Sequence, residues 1–170
     1  RIIKALQPFL ASPVRKLHKI AAEGIVRVAL KNDGADVGLP AIAALGALLR
    51  GESKERAHDA MRRLVRLCSD TESMEVGRAI VQHLGNLTSS TDAGIATLAL
   101  DGIVVATAND EAGELGEESW NIVSTALRRE VRPEMRLKLE EAMFELMRLR
   151  EEALQADNNK TDARKLAPAA

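Results

Sequence analysis

The chain has 170 residues, of which 46 % are apolar and 29 % charged, but only 2 % are aromatic and none is Tyr. That length can bury one sizeable core, and the core must be aliphatic, leaving few flat side chains on which bases or sugars could stack. Net charge is −1, yet residues 1–66 carry 13 Lys and Arg against 6 Asp and Glu, while residues 67–170 carry 11 against 19, a polarity that speaks to surfaces and partners rather than to fold.

In chain order, Arg1–Leu10 places Ile2, Ile3, Leu6, Phe9 and Leu10 at helical spacing, with Pro8 weakening the end. Ser12-Pro13 predicts an N-cap followed by Pro at the first helical position. The helix it opens runs to about Lys31, with Val14, Leu17, Ala21, Ile25 and Val28 inward and Lys16, Lys19, Glu23 and Arg27 outward. Asn32-Asp33-Gly34 is a turn. Leu39–Arg50, LPAIAALGALLR, is apolar, Gly or Pro as far as Leu49. A helix without a polar stripe is expected to be enclosed by its neighbours, and this one is too short to span a bilayer, which takes about 20 apolar residues.

Gly51 stops that helix and Ser53 caps the next, where Ala57, Met61, Leu64 and Cys68 form one stripe. A helix over about Ser73–Leu87 repeats the pattern with Val76, Ile80, Leu84 and Leu87. Asp92–Ala108, with Asp101 its one interior charge, is a second enclosed helix. Asp110–Glu118 is an acidic loop, Trp120–Glu130 a short helix, and Pro133 opens a last helix reaching about Gln155. Residues 1–155 form one all-helical domain in this scheme, and the polar, then Ala/Pro-rich tail 156–170 is expected to be disordered. Arg1 in place of an initiator Met leads us to expect part of a longer chain.

Apolar centres at Ile25, Ile42, Met61, Ile80 and Leu98 recur every 17 to 19 residues. A helix pair therefore repeats every 36 to 38, the period of stacked helical hairpins. Ala41–Leu49 (AIAALGALL) and Ile80–Leu87 (IVQHLGNL) share a Leu-Gly-x-Leu core. On these segments the stretch Val14–Ala108 resembles the HEAT/armadillo class of helical repeats. It departs from that class in the placement of Pro and of Asp, Asn and Arg, and in a jump to 25 residues between Leu98 and Val123. The expected fold is all-α: about eight helices stacked as antiparallel hairpins in a short α-solenoid-like array, with a long C-terminal helix.

Chemistry-bearing patterns are sparse. His18, His58 and His83 have no i,i+4 partner, and neither HExxH nor CxxC occurs. Asp110, Glu111, Glu114, Glu117 and Glu118 lack the alternating ligands of an EF-hand loop, so a solvated loop is expected. Gly113-Glu-Leu-Gly116 lacks the Lys-Ser/Thr of a phosphate loop. Cys68, alone in the chain, cannot form an internal disulfide and reads as a buried thiol. No metal, cofactor or catalytic residue is expected.

Two surfaces remain as candidates. Arg50, Lys54, Arg56, Arg62, Arg63 and Arg66 form a basic face able to attract acidic partners or phosphates. Leu137, Phe144, Met147 and Leu154 give the last helix a second apolar side, for a partner or for self-association into a homo-oligomer. The expected function is a non-enzymatic protein-interaction or scaffold module in the cytoplasm. The alternatives are the cytosolic domain of an integral membrane protein, its basic half against the lipid, and a nucleic-acid-binding helical-repeat domain.

Overall fold

The computed structural model describes residues 1–32, 34–51, 53–110 and 113–166, with side chains as far as Ala156. Eight helices account for the described secondary structure: α1 (Ile2–Leu10), α2 (Arg15–Asn32), α3 (Ala35–Leu49), α4 (Lys54–Asp70), α5 (Met74–Leu87), α6 (Ala93–Ala108), α7 (Gly116–Arg129) and α8 (Pro133–Leu166). None is both long and apolar enough to cross a membrane among the described residues.

Polar side chains cap the starts of α4, α5 and α6. Ser53 Oγ accepts from Arg56 N at 3.4 Å and Ser73 Oγ from Val76 N at 3.5 Å. Asp92 accepts from both Gly94 N and Ile95 N, satisfying amides that have no partner within the helix. Ser12 behaves similarly, accepting from Val14 N at 3.2 Å, although the regular helix starts only at Arg15.

Four antiparallel hairpins result: α1–α2, α3–α4, α5–α6 and α7–α8. They stack so that α1, α3, α5 and α7 make one layer and α2, α4, α6 and α8 the other, each hairpin packing on the next. Side-chain hydrogen bonds between successive hairpins carry the period directly. Arg63 reaches Glu23 40 residues back, Gln82 reaches Glu118 36 ahead, Asn109 reaches Ser69 40 back and Arg132 reaches Ser90 42 back. Because partners in one layer advance together along the chain, helices within a layer run parallel.

The core is a continuous aliphatic seam between the layers, with Ile25, Leu45, Leu64, Ile80, Leu84, Leu100, Ile103 and Leu139 at 2 % exposure or less. Each such side chain contributes about 1.5–3 kcal/mol by leaving water. Close approach of α3 to α5 depends on glycine: a Cβ at Gly38 would lie 2.4 Å from Val76 Cγ2, and one at Gly46 2.3 Å from His83 Nε2.

Several local expectations are corrected. α3 begins at Ala35 and reads through Pro40, which lacks one backbone donor but does not end the helix. It is not enclosed on every side: α1, α2, α4 and α5 cover it, while Leu39, Pro40, Ala43 and Ala47 face outward. Mostly small side chains there make open exposure inexpensive, so an apolar run did not require full burial. Val14 and Leu17 are 53 % and 43 % exposed, because α1 and α4 cover the other side of α2, through Ala21, Ile25, Val26 and Ala29. α7 begins at Gly116, four residues early. Finally, α8 continues to Leu166, beyond the expected end at Gln155. Residues 156–166 contain neither Gly nor Pro, and polarity alone does not stop a helix; the remainder of the expected tail, 167–170, lies outside the described residues, as do Asp33 and Glu111.

Candidate functional site

The six basic residues named from sequence do not form one free face. Arg50, Lys54 and Arg62 are exposed. Arg56 instead donates to the carbonyls of Ala11 and Ser12, at 3.3 and 2.8 Å, and so fastens α4 to the α1–α2 turn. Arg63, 15 % exposed, bridges two carboxylates: Nε lies 2.9 Å from Asp59 Oδ2 and Nη1 2.5 Å from Glu23 Oε2. Arg66 adds Nη1 to Glu23 at 3.2 Å and Nε to Asp70 at 3.3 Å. Half of the sequence-level face is therefore engaged across the seam between the first two hairpins, Arg66 while still half exposed.

Glu23 is the hinge of this network. Burial pushes its carboxyl up, but the hydrogen bonds from Arg63 and Arg27 and the charges of Arg63 and Arg66 outweigh burial and hold it below the ordinary value. Also on α2 is His18, 3 % exposed. Its Nδ1 is 2.8 Å from Leu10 O and donates to that carbonyl, which leaves Nε2 3.7 Å from Asp59 Oδ2, too long for a hydrogen bond. The other histidines are elsewhere: His58 is exposed on α4, and His83 is half-buried on α5 against Gly46. Burial, then the charge of Arg50, lowers the His83 pKa. Among the described residues no three His, Cys, Asp or Glu side chains gather as metal ligands.

Cys68 is buried, 3.7 Å from Gly77 O. Burial and the charge of Asp110 push its thiol up to about 12, so it is held as the unreactive thiol rather than the nucleophilic thiolate. Asp110 itself serves the α6–α7 connection, accepting from Leu115 N at 2.6 Å.

One concavity was not foreseen. A groove of 820 Å³ runs between α5 and α7, lined among others by Arg78, Gln82, Asn86, Asn121, Thr125 and Arg129. Ile122 packs against Gly85 at its floor. Joining the two walls, Gln82 Nε2 of α5 donates to Glu118 Oε1 of α7 at 2.7 Å, and Arg78 Nε lies 3.9 Å from Glu118 Oε2. Both helices bring uncharged polar side chains to the groove, Gln82 and Asn86 from α5 and Asn121 and Thr125 from α7. Each pair is spaced i,i+4 on its helix, which is the sequence signal that existed. It reads as an ordinary solvated stripe until the hairpins are stacked.

The apolar residues named on α8 lie on the side away from its buried stripe of Met135, Leu139, Ala142 and Leu146. Leu137 is 57 %, Phe144 70 %, Met147 44 % and Leu154 58 % exposed.

No protein-family profile and no curated protein matches the chain. Two crystal structures of engineered proteins from the Northeast Structural Genomics Consortium are similar to it in shape. One is 19 % identical, covers 86 % of this chain and 63 % of its own, and has a TM-score of 0.44; the other is 18 % identical, covers 85 % and 37 %, and has a TM-score of 0.43. The chain spans less than two thirds of either, and a likeness of that degree says nothing about what it binds.

Proposed function

We propose that the chain is a non-enzymatic protein-interaction or scaffold module whose docking site is the α5–α7 groove, and that the groove takes an extended polypeptide segment. The observation that carries this is the set of uncharged polar side chains that both walls bring to an open groove of 820 Å³, Gln82 and Asn86 from α5 and Asn121 and Thr125 from α7. Side-chain amides offer a donor and an acceptor at one tip, the complement of a peptide backbone, which presents both at every residue. The groove also holds charge of both signs, with Arg78 from α5 and Arg129 at the C-terminal end of α7 alongside Glu114, Glu117 and Glu118, which sets direction and selects among sequences more than it adds affinity. Arg56, Arg63 and Arg66 of α4 support this role by fixing the stack rather than by meeting the partner.

A random peptide library displayed on phage and panned on the immobilised full chain tests the assignment. Selected peptides should lose about tenfold or more in affinity, roughly 1.4 kcal/mol, on Gln82→Ala with Asn121→Ala, and be indifferent to Arg62→Glu. A library that yields no binder, or binders unaffected by the groove pair, would overturn it. Retention on nucleic acid that falls steeply with salt would favour the alternative use of the exposed cations.

A further inference from the structure

Going beyond the groove, we infer that the outer face of α8 is a self-association surface on which a second copy of the chain docks antiparallel about a two-fold axis. α8 ends the second layer of the stack. It packs on α6 and α7 through Met135, Leu139, Ala142 and Leu146 and offers nothing of its outer side to the rest of the molecule. On that side Leu137, Glu140, Phe144, Met147, Glu151 and Leu154 follow the alternating three- and four-residue steps of a coiled-coil seam. The seam is about 26 Å long.

The order of residues along it is symmetric about a point between Glu145 and Leu146. Reversing a second copy about that point sets Leu137 against Leu154, Phe144 against Met147 and Glu140 against Glu151, each pair occurring twice. The bulkiest side chain then meets a slender, adaptable one rather than its own copy. Charge complementarity flanks the seam, because the same arrangement brings Glu141 of one copy alongside Arg148 of the other, and the reverse. Both are exposed, and their present partners lie on their own helix: Glu141 with Lys138 at 3.0 Å, and Arg148 with Glu145 and Glu152. The helix dipoles also oppose one another in this arrangement. The two Glu140–Glu151 layers weaken the seam, and it stands at the small end of specific interfaces, below about 1,200 Å². A dimer is therefore expected at concentrations between about 10 µM and 1 mM. None of the groove-lining residues of α5 and α7 takes part, so the dimer would present two grooves.

Sedimentation of the full chain across that concentration range should show the mass rising toward twice the monomer. Phe144→Glu, at an exposed position that should leave helicity and melting unchanged, should abolish the rise, and Glu151→Leu should strengthen association about tenfold. Register is read by mixing Leu137→Cys and Leu154→Cys chains in a Cys68→Ala background. The mixture should cross-link and either chain alone should not. A mass that stays monomeric, or association that survives Phe144→Glu, would overturn the surface. Cross-linking of Leu137→Cys with itself would overturn the antiparallel arrangement. Since no peptide is present, failure here leaves the groove untouched, and failure of the peptide screen leaves the dimer untouched.

Discussion

Replacing Arg63 by Ala separates a structural role from a partner-binding one. In the folded chain Arg63 neutralises Glu23 and Asp59 at once, at 2.5 and 2.9 Å, with 15 % of its side chain exposed and Glu23 28 %. An exposed ion pair contributes about 0–1 kcal/mol, whereas breaking a buried one by removing a single partner costs about 3–5 kcal/mol because a charge is stranded. The site lies between these limits, and Arg66 still reaches Glu23, so about 2–3 kcal/mol is expected. For a chain of this length that corresponds to a melting shift of about 4–12 °C. Urea titration followed by circular dichroism measures it. The sign with pH is fixed as well. The Glu23 carboxyl is held below its ordinary 4.5 in the fold, so its stabilisation is present above that value and is lost as pH falls through the folded pKa. Wild type and Arg63→Ala should therefore converge in acid. A loss below about 0.5 kcal/mol, as for an unremarkable surface site, or a gap that does not change with pH, would refute the structural role.

Leu64→Ala, at a site with no exposure, should cost about 2–5 kcal/mol in the same titration. Gly46→Ala places a methyl 2.3 Å from His83 Nε2 and should lower stability by about 1–3 kcal/mol despite Ala's better helix propensity; His83→Ala in the same chain should recover part of the loss. Cys68, with its thiol pushed up to about 12, should resist a thiol-directed disulfide reagent at pH 8 and react once urea unfolds the chain. A native-state reaction as fast as that of a free thiol would show that the α4–α5 seam opens.

Helix number, order and most boundaries were legible because the aliphatic stripes and caps such as Ser53 are local signals, and a period near 37 residues was legible because each hairpin repeats the stripes. Partner choice among polar residues was not. Arg62 and Arg63 are neighbours in sequence, yet one is exposed and the other is clamped between Glu23 and Asp59, a difference set by a helix 40 residues away. The groove was hidden for the same reason, since Arg78 and Gln82 meet Glu118 only when α7 lies beside α5. The apolar side of α8 was readable in advance because no chain position needs to be known to see seven-residue spacing.

Every substantial helix contact falls within a hairpin or between consecutive hairpins, so the molecule has no single hub whose loss must bring down the whole. Its melting should follow the logic of a short string of coupled units. The α1–α2 unit has one neighbour and is tethered through Arg56 and Arg63, and it should exchange its amide hydrogens sooner than α4 and α6, which are flanked on both sides. A lesion in the Glu23–Arg63 clamp would then release one unit while the α5–α7 groove, two hairpins away, stays assembled.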